Sequence, residues 1–460
     1  MSLTPKRENG LVLSTRKRIS SVISFVAEPA LAILSLATVV TCAHWNAKHS
    51  ALPRGDSISS PSASGASVEP PKDPPAPPEE KASKSQPSES VLLSEEIATK
   101  LTSWSRALRE YHDGKRQDPL RILWFGDSHT AADYWTQAVR QTLASEIPIA
   151  GPGYLSLGVT NYRHGMARLW KDGSLEVAPH PPARRVLEGD GVFGLGGTRV
   201  TMKDSSAVVS LRLTFEGVSR NLVNYELYYR MMSKVDSLSW TAGTVRRELR
   251  KDSLANKLGE ILVAHFEAPG NETLEIRALS GTPQLFGVVA ETRTGGVVVD
   301  TLGINGARFG TFLAWEKEAF AAVVAARKPL IAVVAYGTNE VFDEEAVSRH
   351  AKRLEDVVER LRSAVPDVGC IVAGPTDAGK GGEAAASRVV AMDQAERSTA
   401  ERLGCVYFSA YDVMAKDGGF SAWRSMDPPL ALSDGIHLTA RGYARLGEAF
   451  ARQCLMTKSN

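Results

Sequence analysis

Cysteine is scarce: Cys42, Cys370, Cys405 and Cys454 are the only four in 460 residues. They form no CxxC pair and no metal-ligand spacing, which excludes a zinc site and a redox motif. Cys370 and Cys405 each begin an apolar, strand-like run, so both are expected as small buried hydrophobes, with a disulfide between them as the lesser alternative. Charge of one sign is lacking too. The 54 basic residues face 52 acidic ones, a net +2, and so weak a field does not hold nucleic acid or a membrane surface. No internal repeat is visible. Long apolar runs are absent except for one near the N-terminus.

That run, residues 29–45, follows a segment with Lys6, Arg7, Arg16, Lys17 and Arg18 against Glu8 alone. Roughly 17 to 20 apolar residues cross a bilayer, and a basic flank stays on the cytoplasmic side. Residues 1–50 are therefore expected to form a cytoplasmic flank and a signal-anchor helix in the inner membrane. The rest is then extracytoplasmic, in the periplasm or at the cell surface. Glu28 falls at the cytoplasmic edge of the span, where its carboxylate reaches water. Cleavage near Thr41-Cys42-Ala43 is the competing reading. Residues 51–91 are expected to be a disordered tether, because nine prolines and ten serines fall within residues 51–90 and leave too little apolar surface to offset ordering entropy. A flexible chain of that length spans about 35 Å root-mean-square.

Beyond the tether the hydrophobic pattern changes period twice. Ser94 can cap a helix whose apolar residues Ile97, Leu101, Trp104 and Leu108 recur at three- and four-residue steps. Residues 121–125 read as a buried strand and 131–143 as the following helix. The alternation resumes with strands over 297–302, 330–336, 370–373 and 406–409, and helices over 307–326, 344–364, 386–403 and 439–454. Such alternation specifies a parallel sheet covered on both faces, with a flavodoxin-like strand order. Residues 209–215, 223–229, 261–266 and 273–277 instead alternate apolar with polar, the pattern of antiparallel strands. The expected architecture is an α/β domain, a flavodoxin-like three-layer parallel sheet over residues 92–158 and 296–460, interrupted by an antiparallel β-sandwich over 159–295.

The chemistry-bearing residues stand at strand ends. Gly126-Asp127-Ser128-His129-Thr130 lies where a strand gives way to a helix, the place where parallel sheets build active sites and where a helix N-terminus favours negative charge. A serine there is also a common helix cap. Asp434-Gly435-Ile436-His437 places a carboxylate and an imidazole on one side of a turn, so that Asp434 can fix the tautomer that leaves Nε2 free to take the Ser128 proton. A Thr439 cap with a loop acid would explain Thr439 but not His437. Asn339, in Gly337-Thr338-Asn339-Glu340, and Gly306, in Gly303-Ile304-Asn305-Gly306, follow two further strands. With the Ser128 N–H they make three donors for an oxyanion. Each alone is an ordinary turn; four polar sites at four strand ends of one sheet are not.

In this order the blocks resemble the SGNH (GDSL-like) hydrolase superfamily. Gly126-Asp127-Ser128 matches its first block, Gly306 its second, Gly337 and Asn339 its third, and Asp434 and His437 its fifth. Glu340 departs from the usual Asp, and Gly303 competes with Gly306 for the donor role. The Gly-Asp-Ser-His start, residues 151–158 and the insertion before the second block are similar to the peptidoglycan O-acetylesterase branch. The resemblance covers the α/β portion only. It implies a serine esterase with Ser128, Asp434 and His437 as triad, Ser128, Gly306 and Asn339 as oxyanion hole, and an acetylated glycan as substrate. No metal, organic cofactor, nucleotide or nucleic acid is called for.

His129 adjoins the nucleophile, but neighbours around such a turn project apart, so a substrate-lining or structural role is expected for it. Residues 374–381 approximate a phosphate-binding loop, yet Gly381 replaces the hydroxyl that would hold magnesium. The resemblance instead puts Pro375 and Asp377 near substrate. A lipid esterase or thioesterase, a carbohydrate O-acetyltransferase and a non-catalytic glycan-binding protein remain as alternatives. No long amphipathic lid is evident, and every triad and oxyanion position is filled. In the insertion, Tyr225, Tyr228 and Arg230 are the first candidates for glycan contact, with the sandwich core or a domain seam as the competing place for them.

Overall fold

Short apolar, β-branched runs build the central sheet in the computed structural model, which describes residues 93–159, 163–179, 189–215, 222–250, 258–293 and 295–456. The basic flank, anchor and tether lie outside these residues. Among the described residues no helix is long and apolar enough to cross a membrane. Six parallel strands stand in the order Val406–Phe408, Gly369–Ala373, Ile331–Ala335, Leu120–Gly126, Val297–Gly303, Ile149–Gly151. Apart from the short edge strand Ile149–Gly151, this is the expected flavodoxin-like order.

Alternation along each strand divides the sheet into two buried faces. Ile122, Trp124, Val299 and Val333 join one core with Trp104, Val139, Leu446 and Phe450. Leu123, Phe125, Leu302 and Val334 join the other with Phe320, Val323, Leu354 and Val358. Leu446 and Phe450, Phe320 and Val323, and Leu354 and Val358 stand three or four residues apart on helices Ala440–Phe450, Lys317–Arg327 and Val347–Ala364, while Trp104 and Val139 come from Thr102–His112 and Tyr134–Leu143.

Three local expectations are corrected. The first helix is two, Glu95–Lys100 and Thr102–His112, broken at Leu101, although Ser94 Oγ does accept the Ile97 N–H. The helix after the nucleophile turn is also two, Ser128–Ala131 and Tyr134–Leu143, because Asp133 between them adopts φ 60°. That left-handed conformation is offset by a buried network in which Asp133 pairs with Arg140 and accepts from the Thr136 and Thr301 hydroxyls and the Gly165 N–H. Finally, Cys370 and Cys405 are not free thiols but a disulfide. The parallel register that sets Ile371 against Val406 brings the preceding residues together, with Cα atoms 4.7 Å apart.

The insertion is two antiparallel sheets. One has the order Val245–Arg250, Ser237–Ala242, Leu274–Ser280, Val208–Leu213, Ala167–Asp172; the other Leu262–Pro269, Leu222–Arg230, Gln284–Thr292, Thr198–Met202, Leu175–Pro179. Both contribute to one core that includes Leu211, Trp240, Ile276, Tyr225, Leu227 and Val288. Strand Gly153–Ser156, which lies before residue 159, pairs with Gln284–Thr292 and so ties the α/β chain into the second sheet. At the seam, buried Arg327 bonds Asp300 of the parallel sheet and Glu291 of the insertion, and Arg121 makes a second bond to Glu291. Tyr225, Tyr228 and Arg230 are all buried. Tyr225 stacks on Phe266, Tyr228 packs against Tyr154 at the seam, and Arg230 bonds Gln284 and Asp190. None of the three presents a surface to a glycan.

Candidate active site

Strand Leu120–Gly126 ends at Gly126, and Asp127 caps the short helix that begins with Ser128: its Oδ1 accepts the His129 N–H at 2.9 Å. The cap is thus Asp127, and the Ser128 side chain is left for other work. Its Oγ lies 2.8 Å from His437 Nε2, and His437 Nδ1 lies 2.7 Å from Asp434 Oδ2. The other Asp434 oxygen accepts the Ile436 and His437 N–H groups, each at 2.9 Å, which folds the turn so that carboxylate and imidazole meet. Burial pushes the Asp434 carboxyl up, but the His437 ring and those two N–H groups outweigh it and hold the group down at about 2. Asp434 is therefore a carboxylate at neutral pH, and the imidazole proton sits on Nδ1. Thr439 caps the last helix through the Gly442 N–H, as expected.

The oxyanion candidates converge on the same strand ends. Gly303 is paired beside Gly126, and a side chain there would collide with the Ala131 backbone, so its glycine is required for packing. Gly306 instead adopts φ 74° within the turn that the Ala307 N–H closes on the Ile304 carbonyl. The two glycines thus answer to different constraints, close packing at Gly303 and a positive φ at Gly306. Asn339 is half-buried; its amide donates to the Ala307 carbonyl at 3.0 Å and to Asp127 Oδ2 at 3.3 Å. These bonds lock the amide between the Gly306 loop and the nucleophile turn. Burial raises the Asp127 carboxyl to about 7 against the pull of the His129 N–H and of His437.

His129 is buried, and both ring nitrogens are engaged, Nδ1 with the Tyr443 hydroxyl at 2.9 Å and Nε2 with Thr376 Oγ1 at 3.3 Å. Its ring centroid lies 5.5 Å from that of His437. It underlies the site and braces it, which corrects the substrate-lining option. Burial, reinforced by the His437 charge, lowers its pKa to about 3, so the ring stays neutral. Asp377 also has structural work: Oδ2 accepts the Phe420 N–H at the start of helix Gly419–Ser425, and Oδ1 the Ala378 N–H. The loop resembling a phosphate cradle supports the catalytic turn, since the Gly379 N–H donates to the Gly435 carbonyl. The supporting roles of Tyr443 and Thr376 escaped sequence reasoning. The Asp127 cap was within its reach, since an Asp before a helix is a preferred N-cap.

Residues 250–445 match the GDSL-like Lipase/Acylhydrolase family. The match begins inside the insertion and spans Gly306, Asn339, Asp434 and His437. No curated protein matches by sequence. A solved structure described as a peptidoglycan O-acetylesterase in action is 20% identical over 78% of this chain and 95% of its own, with a TM-score of 0.62. That coverage exceeds the α/β part and takes in the insertion. A lipase/acylhydrolase from Enterococcus faecalis is 20% identical over 36% of this chain and 80% of its own, with a TM-score of 0.29. A salicylyl-acyltransferase from a tetracycline biosynthetic pathway is 14% identical over 65% and 96%, with a TM-score of 0.31. Strand order, the Gly-Asp-Ser turn and the match over residues 250–445 agree: the α/β part of this chain has the SGNH hydrolase fold and is similar to the GDSL-like lipase/acylhydrolase family, and the chain is a carboxylic ester hydrolase.

Proposed function

We propose that the chain is a serine esterase that removes O-acetyl groups from a cell-wall glycan, peptidoglycan in particular, through an acyl-enzyme. The observation that carries the reading is the unbroken line of hydrogen bonds from Asp434 through His437 to Ser128. Ser128 Oγ attacks the acetyl carbonyl carbon while its proton passes to His437 Nε2. The oxyanion that forms is held by the N–H groups of Ser128 and Gly306 and by the Asn339 amide, which gives up its longer 3.3 Å bond to Asp127 to donate there. Collapse breaks the bond to the sugar oxygen, which takes the proton from His437. Water, deprotonated by His437, then attacks the acyl carbon, releases acetate and restores Ser128.

The substrate class has support from the size and placing of the insertion and from the fold shared with the peptidoglycan O-acetylesterase. An extracytoplasmic address, with residues 1–50 as anchor and 51–91 as tether, accords with the basic and apolar pattern there and with the Cys370–Cys405 disulfide, which persists in oxidising compartments. Acetate release from O-acetylated peptidoglycan, acetylated xylan and an acetylated lipid tests the assignment. Preference for peptidoglycan is expected. Turnover of the lipid alone, or acetyl transfer to a sugar acceptor in place of hydrolysis, overturns it.

A further inference from the structure

The two loops proposed to donate to the oxyanion come from strands that do not touch. Gly306 follows Val297–Gly303 and Asn339 follows Ile331–Ala335, and Leu120–Gly126, which leads to Ser128, runs between them. The backbone ladder therefore leaves the two loop ends unlinked to each other. Besides the Asn339 amide bond to the Ala307 carbonyl and the Arg308–Asp343 pair, a buried carboxylate bonds the backbone of both loops. Glu340 Oε1 accepts the Phe309 N–H at 2.8 Å and Oε2 accepts the Gly337 N–H at 3.3 Å. Phe309 lies three residues after Gly306, and Gly337 two residues before Asn339.

We propose that Glu340 is a positioning residue for the oxyanion hole, spanning the nucleophile strand to hold the Gly306 and Asn339 loops at one separation. The inference rests on the oxyanion reading of those two residues. Glu340 is also where the chain departs from the aspartate expected in its block, and the added methylene gives the carboxylate its reach to Phe309. Its neighbours are polar and buried. His350 Nδ1, from helix Val347–Ala364, is 4.0 Å from Oε1, and His350 Nε2 bonds Glu396, from helix Gly382–Arg402, at 2.7 Å. A Cβ at Gly337 would stand 2.6 Å from Glu396 Oε1, so the Asn339 loop is pressed from the far side as well. Arg388 bonds the Glu340 carbonyl, and the charges of Arg308 and Asp127 act on the same pocket. Burial holds the Glu340 carboxyl up at about 7, a cost that a residue with only a packing role would avoid by being apolar.

Glu340→Asp keeps the acid and shortens the reach; Glu340→Gln keeps the reach and sets an amide N–H₂ against a backbone N–H. Both are compared with the parent as full chains, and in the Asn339→Ala background, on 4-nitrophenyl acetate. Each variant is expected to lose about ten- to a hundredfold in kcat, less than a full donor deletion, with KM held within about twofold. In the Asn339→Ala background the loss shrinks by at least about threefold, since the two act through one loop. Unchanged kcat in both variants, or the same fold-loss in both backgrounds, overturns the proposal. Unchanged kcat in Asn339→Ala alone overturns instead the oxyanion reading beneath it, which is seen without touching Glu340.

Discussion

Two neighbours of His437 act on it differently. Asp434 holds the Nδ1 proton, so Asp434→Asn presents the wrong hydrogen-bonding partner and is expected to lower kcat on an aryl acetate by about 10⁴-fold. Among the described residues the His129 ring nitrogens bond Tyr443 and Thr376, so His129→Gln is expected to cost less than about tenfold, the scale of lost support and not of a lost base. The reverse ranking in steady-state kinetics would make His129 the base. Burial also gives His129 a signature in stability. Its pKa is about 3 folded and near 6.5 unfolded, so its contribution is fully present above the unfolded value and is lost as pH falls from about 6.5 towards 3. His129→Gln carries no such charge, and its melting temperature is expected to fall less steeply than the parent's across that window. Parallel curves would contradict this. At this scale the sequence was readable where partners are close in the chain: Asp434 and His437 are three residues apart. For Tyr225, Tyr228 and Arg230 it offered glycan contact against core or seam, and the competing place is where they lie, because alternation reveals that a strand has two faces but not what each face meets.

Elements were readable where burial is uniform. Ile331–Ala335 and Gly369–Ala373 are buried throughout, and their apolar runs mark them as central parallel strands. Strand Val245–Arg250 escaped because three arginines and a glutamate mask its period, and the break at Asp133 because its cause, Thr301 and Gly165, lies far away in sequence. The disulfide belongs to this scale as well. It staples adjacent strands across 35 residues of chain, for which loop-closure entropy gives about 2–4 kcal/mol. Reductant, or replacement of Cys370 and Cys405 by alanine together, is expected to lower the melting temperature while kcat on aryl acetate holds. A melting temperature indifferent to both changes would show that the bond contributes nothing.

For the whole molecule, the charged seam makes the body and the insertion one mechanical unit. Arg327 has no exposed surface and binds carboxylates of both parts, Asp300 on one side and Glu291 on the other. Removing it strands buried carboxylates, so Arg327→Ala is expected to cost about 3–5 kcal/mol in denaturant unfolding. A loss below about 1 kcal/mol would mean that the parts are held by apolar packing alone. The central claim, that Ser128 forms an acyl-enzyme, is tested most directly by Ser128→Ala assayed on 4-nitrophenyl acetate, with folding followed by circular dichroism. Ser128 is half-exposed and, among the described residues, its hydroxyl bonds only His437, so the variant is expected to fold and melt as the parent does while turnover falls by about 10⁶-fold, to background. Turnover near the parent's rate in a folded Ser128→Ala would contradict the account.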